Sequence, residues 1–196
     1  MNKELEGRLL FLKEVDALKN VIRQNKLVDA SRYENVAEHS WHFALSAMTL
    51  FDYCVLPDVD LNKVIKMALV HDLVEIYAGD TPAYADVAKV DISAQEEEAA
   101  KKLFSMLPQE QGQEYLDLWL EFEAKETNDS LYANANDRFQ AAYISYLSGN
   151  ENWKNQSVTK EKFLNRMGLV ESVMPDLWPY VLFILQEAID RGTVSE

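Results

Sequence analysis

Apolar side chains recur along this chain at three- and four-residue intervals and seldom alternate, which is the pattern of amphipathic helices and not of strands. Leu5, Leu9, Leu12, Val15, Leu18 and Ile22 form one stripe and predict a first helix over about residues 3 to 22. A polar stretch, Arg23 to Asn35, follows it. His39, Phe43, Ala47, Leu50 and Cys54 predict a second helix from near Val36 to about Cys54, ended by Pro57. Asp60 is placed to cap a third helix from Leu61 to Tyr77, and Gly79 to stop it. Asp80-Thr81-Pro82 must then turn, because proline restricts the residue before it.

Ser93-Ala94-Gln95-Glu96 has capping-box spacing and predicts the start of a fourth helix that Pro108 closes. Leu116, Trp119, Leu120 and Glu123 belong to a fifth. Asn128-Asp129-Ser130 is a cap cluster for a sixth that carries Leu131, Ala135, Phe139, Ala142 and Tyr146 and ends at Gly149-Asn150. Thr159 caps a seventh helix running through Val173, and Pro175-Asp176 introduces an eighth that reaches about Asp190. The expectation is an all-α bundle of about eight helices spanning residues 1–196 as one domain, since no repeat, low-complexity tract or linker interrupts the pattern.

Composition narrows the partners. Asp and Glu number 33 against 19 Lys and Arg, a formal charge of −14, and so acidic a chain is poorly suited to a nucleic-acid polymer or an anionic membrane surface. The single Cys54 can form no internal disulfide, consistent with a reducing compartment. The charged N-terminus lacks a signal-peptide apolar run, and no apolar stretch approaches the roughly 20 residues of a membrane span. The chain therefore reads as a cytoplasmic protein.

Chemistry is suggested where polar residues interrupt apolar helices. His71-Asp72 lies within Met67-Ala68-Leu69-Val70-His71-Asp72-Leu73-Val74-Glu75-Ile76, a run whose aliphatic character argues for burial. Buried ionisable groups require partners or a metal, and helical geometry brings Glu75 onto the face of His71 and Asp72. Imidazole and carboxylate together suit a divalent ion such as Mn, Fe, Co, Ni or Zn. The ordinary meaning of a His-Asp pair is a surface histidine beside solvated acids. Against it stand His39, also on an apolar helix, and Asp137, in mid-helix between Ala135 and Phe139 where aspartate is disfavoured.

In order, His39, His71-Asp72 and Asp137 reproduce the H…HD…D pattern of the HD-domain metal-dependent phosphohydrolases. Three blocks sharpen the match: Arg32-Tyr33-Glu34-Asn35-Val36-Ala37-Glu38-His39, His71-Asp72-Leu73-Val74-Glu75, and Gly79-Asp80-Thr81-Pro82. Over roughly residues 8 to 145 the chain resembles the 5′-deoxynucleotidase branch of that superfamily.

The resemblance implies that His39, His71, Asp72 and Asp137 hold one divalent metal ion (Mn, Co, Fe, Ni, Zn or Mg). It implies that Glu75 and Asp80 are catalytic or water-orienting acids, and that the substrate is a small-molecule nucleoside 5′-monophosphate. Arg23 aligns, across a loop one residue shorter, with an arginine that contacts phosphate in the family. Arg32 and Thr81 join it as candidate substrate-binding residues, Arg32 having Glu34 as an alternative partner. A homodimer is also implied. Two positions depart from relatives: Asn134 stands where a lysine is common three residues before the late aspartate, and Gln24 where some members place an aromatic residue.

Two rival readings are a related phosphohydrolase or phosphodiesterase acting on another nucleotide, and a non-catalytic metal or nucleotide sensor. The spare histidine, His42, reads as a support or surface residue and not as a ligand. Cys54 and the tryptophans Trp41, Trp119, Trp153 and Trp178 read as packing or interface residues, and Glu96-Glu97-Glu98 as the solvated first turn of a helix.

Overall fold

The computed structural model describes residues 2–84 and 89–196, with 89–92 as backbone only. Helices α1 (Lys3–Val15), α2 (Val36–Thr49), α3 (Leu61–Val70), α5 (Lys89–Phe104), α6 (Gln109–Ala124), α7 (Asn128–Leu147), α9 (Lys160–Val173) and α10 (Trp178–Asp190) correspond to the eight expected segments. Two one-turn helices, α4 (Glu75–Ala78) and α8 (Glu151–Asn155), are added to them. The only sheet among the described residues is an antiparallel hairpin of β1 (Ile22–Lys26) and β2 (Tyr33–Asn35). No helix there is long and apolar enough to cross a membrane.

Several boundaries differ from the sequence expectation, each for a local reason. The first helix ends at Val15 and tightens into a 3₁₀ turn, Asp16–Asn20. The chain then extends to pair Ile22 with Asn35, and the Val36 amide donates to the Val21 carbonyl at 3.0 Å. Arg23 therefore sits on a strand and not at a helix end. The second helix stops at Thr49, whose hydroxyl donates back to the Leu45 carbonyl at 2.8 Å, so Cys54 falls outside it. Helix α5 begins at Lys89, four residues before Ser93. The cap of α7 is Thr127, reciprocally bonded with Ser130. Asn128 and Asp129 instead tie down the loop that leads into α3: Asn128 Nδ2 donates to the Pro57 carbonyl, and Asp129 Oδ1 accepts from the Asp60 amide.

The consequential difference lies in the third helix, which does not run unbroken to Tyr77. After His71 the hydrogen bonds shorten to i→i−3: Leu73 to Val70 at 3.2 Å, Glu75 to Asp72 at 3.1 Å, Ile76 to Leu73 at 3.3 Å and Tyr77 to Val74 at 3.1 Å. In 3₁₀ geometry residues three apart eclipse one another, so Glu75 stands above Asp72 more directly than an α-helix would allow. Gly79, at φ +78°, closes this segment in a conformation that a side chain would strain.

Two buried apolar clusters hold these elements. One joins α2, α3, α7, α9 and α10 through residues such as Phe43, Met67, Tyr132, Phe163 and Ile184. The other joins α1, the end of α3, α5 and α6 through Phe11, Val70, Val74, Leu103 and Trp119. Helix α7 also buries Ser130, Asn134, Asn136 and Gln140. Polar groups so placed carry a desolvation cost unless they are bonded, and Gln140 proves to be bonded at the centre described next.

Candidate metal centre and its cavity

Helices α2, α3 and α7 pack together at one point, where each presents a polar residue of the expected set. His39 comes from α2, His71 and Asp72 from the end of α3, and Asp137 from α7. One ligand atom each from His39, His71 and Asp72 lies within 4.8 Å of the other two. Asp137 joins through Oδ1, 3.0 Å from His39 Nε2. Asp72 Oδ2 is 3.1 Å from His71 Nε2 and 3.7 Å from His39 Nε2. Both histidines are almost wholly buried.

This donor set has the chemistry of a metal site. His71 Nδ1 lies 3.0 Å from the Ala68 carbonyl, which can only accept, so Nδ1 carries a proton and Nε2 is the atom turned toward Asp72. His39 Nδ1 lies 3.1 Å from Gln140 Oε1, which leaves His39 Nε2 as a buried atom without a hydrogen-bond partner, facing the Asp137 carboxylate. Two imidazole Nε2 atoms and two carboxylates converge here, the donor types that a divalent ion would take in place of protons. These four residues fit a divalent ion of the imidazole-and-carboxylate class.

Burial and the facing charges act on these groups in opposite senses. Burial, reinforced by Arg23, holds His39 below its ordinary range, and hence neutral. Burial would lift Asp72 and Asp137 and lower His71, but contact with the opposite partner outweighs it: Asp72 and Asp137 are held low, and His71 is raised.

A cavity of about 470 Å³ opens beside this point, lined by Arg23, His71, Asp72, Glu75, Asp80, Thr81 and Asp137 among others. His39 stands behind its wall. Arg23 reaches in from β1, with Nη1 at 3.2 Å from Asp72 Oδ2 and 3.8 Å from Asp80 Oδ1, and Nε at 3.4 Å from Glu34 Oε2. Burial, together with Asp72 and Asp80, pushes the Glu75 carboxyl up to about 10. Burial also raises Asp80, with Arg23 opposing. Thr81 is exposed at the rim. Arg32 is not brought to the cavity: its guanidinium pairs with Glu38 at 2.5 and 2.8 Å on the exposed side of the hairpin.

Several neighbours were given no role at the site from sequence. Glu34 is buried against Arg23, not paired with Arg32, and burial lifts its carboxyl to about 7. Arg138 donates to the Arg166 carbonyl at 2.9 Å, and the Arg166 guanidinium lies 5.8 Å from the Tyr84 ring, so cationic and aromatic side chains line the cavity along with the acidic ones. Gln140 follows Asp137 by three residues, so helical spacing was a usable signal for it. Asn134, in the position of the family's lysine, also lines the cavity, but its amide is engaged by the Phe122 and Ser130 carbonyls.

The chain belongs to the HD domain family, whose model matches residues 15–178. It is 31% identical over 153 residues to mouse 5′-deoxynucleotidase HDDC2, covering 76% of this chain and 73% of that protein. To the human protein of the same name it is 32% identical over 133 residues, 66% of this chain and 62% of the relative. A crystal structure from Magnetospirillum magnetotacticum MS-1, described as a predicted metal-dependent phosphohydrolase, superposes with a TM-score of 0.90 at 38% identity, covering 99% of this chain and 97% of that one.

Proposed function

We propose that this chain is a divalent-metal-dependent phosphomonoesterase that hydrolyses deoxynucleoside 5′-monophosphates to nucleoside and phosphate, residues 1–196 acting as one HD-type domain. The observation that carries the reading is the convergence of His39, His71, Asp72 and Asp137 at the wall of a cavity that also holds Arg23, Glu75 and Asp80. The likeness to 5′-deoxynucleotidases supports the substrate class.

When bound there, a divalent ion would supply Lewis acidity toward a phosphoryl oxygen and would acidify a water molecule. Arg23 offers its guanidinium to the phosphate, while its ties to Asp72, Asp80 and Glu34 hold it in place. Arg138, Arg166 and Lys125 add positive charge to the cavity of an otherwise acidic chain. Glu75, buried beside Asp72 on the cavity wall, is the acid placed to deliver a proton to the departing 5′ oxygen. Asp80, at the cavity edge, orients the attacking water.

Phosphate release from a panel of ribo- and deoxynucleoside 5′-monophosphates, crossed with Mn, Co, Fe, Ni, Zn and Mg, tests the reading. Turnover of deoxynucleotides with at least one of these metals is expected. A chain that binds metal and nucleotide yet releases no phosphate anywhere in the panel would be a sensor.

A further inference from the structure

The two histidines of the centre are held by chemically different supports. His71 Nδ1 donates to a backbone carbonyl, which cannot reverse its role. His39 Nδ1 faces Gln140, a side-chain amide with an acceptor at one end and a donor at the other. The amide is placed with Oε1 toward His39 and Nε2 donating to His42 Nδ1, each at 3.1 Å. Gln140 is buried, and His42 lies one turn along α2 from His39.

Turning that amide over would put its NH₂ against His39 Nδ1. The His39 proton would then have to sit on Nε2, where it would donate to Asp137 and occupy the position that a cation needs. The orientation of one amide and the tautomer of one ligand are therefore a single variable. His42 sets it: a bare Nδ1 accepts from Gln140 Nε2 and keeps Oε1 turned toward His39.

We propose that Gln140, anchored by His42, is a positioning residue that holds His39 in its Nδ1–H tautomer and so keeps Nε2 free for the metal. The inference rests on the reading of His39 as a ligand and is independent of the substrate. Supports of this kind raise ligand basicity and fix ring orientation, and their loss typically lowers metal affinity about 10- to 100-fold. Neither Gln140 nor His42 touches the cavity, so neither acts on the substrate directly.

The test is titration of metal-free protein with Zn²⁺ alone, followed by calorimetry and by ¹⁵N NMR of the histidine rings, with far-UV circular dichroism as the check on folding. Gln140→Leu removes both hydrogen bonds and should lower Zn²⁺ affinity at least tenfold while moving the His39 proton to Nε2. Gln140→Glu keeps an acceptor for His39 Nδ1 and should restore affinity to within about threefold of wild type, a rescue that a space-filling role would not show. His42→Ala removes only the outer anchor on a half-buried side chain. It should lower affinity severalfold with a mixed His39 tautomer, and it carries the test should Gln140→Leu fail to fold. Unchanged affinity and tautomer in Gln140→Leu or, where that variant does not fold, in His42→Ala would overturn the proposal and leave the metal centre standing. A wild-type chain that binds no Zn²⁺ would overturn both.

Discussion

Glu75 shows how a few contacts decide what one side chain can do. The i→i−3 step after His71 sets it over Asp72, and Oε2 is buried without a hydrogen-bond partner. A second negative charge there is unfavourable, so the carboxyl keeps its proton up to about pH 10. The unfolded chain gives up the same proton near pH 4.3. Between those values the folded state binds more protons than the unfolded state, so stability falls as pH rises through that window. Glu75→Gln, neutral at every pH, should remove this slope. In chelator, the melting temperature of the variant relative to wild type should be higher at pH 9 than at pH 5, and an equal difference at both would show that Glu75 ionises normally. With metal restored, Glu75→Gln should bind the ion as wild type does yet lose roughly 10²-fold in kcat, the usual loss for a missing general acid. Wild-type turnover by that variant would remove Glu75 from the chemistry.

At the scale of elements, the β1–β2 hairpin is the piece that sequence periodicity missed, and its residues explain why. Arg23, Gln24, Asn25 and Lys26 do not alternate apolar with polar. The hairpin is held by specific polar contacts: Asn25 Nδ2 donates to the Ala141 carbonyl at 2.9 Å, Asn152 Nδ2 donates to Asn25 Oδ1 at 2.7 Å, and Lys26 pairs with Glu151. Such contacts leave no period to read. The helices and the caps Asp60 and Thr159 were legible because they depend on local spacing and on side chains that bond the next few amides. The break after His71 was not, since no Gly or Pro interrupts Met67 to Ile76 and the apolar spacing runs on through the tighter turn. Because the hairpin delivers Arg23 to both Glu34 and the cavity, its structural and functional roles can be separated. Arg23→Ala should raise KM and, by taking the partner from buried Glu34, destabilise the fold in urea unfolding above pH 7, where Glu34 is charged. Adding Glu34→Gln should recover much of that stability while KM stays high. A double variant no more stable than the single would make Asp72 and Asp80, not Glu34, the partners that matter.

Across the whole molecule, the proposed ligands span residues 39 to 137 and come from three helices that already share one buried cluster. Apolar packing of α2, α3 and α7 precedes any contribution from the ion, so the metal-free chain should keep its helices. Metal should then add stability by mass action and should not be needed to create the fold. At a free concentration 100 times Kd, an ion that binds only the folded state contributes about 2.7 kcal/mol. For a chain of this size that corresponds to a rise in Tm of about 5–10 °C. The shift should vanish in Asp72→Asn, because the amide keeps an oxygen beside His71 and Arg23 but loses the negative charge that a divalent ion needs from this ligand. Far-UV circular dichroism should change little on chelation in either protein. Loss of the helical signal on metal removal would make the ion part of the folding nucleus, and an undiminished shift in Asp72→Asn would place the ion elsewhere among the acids of the cavity.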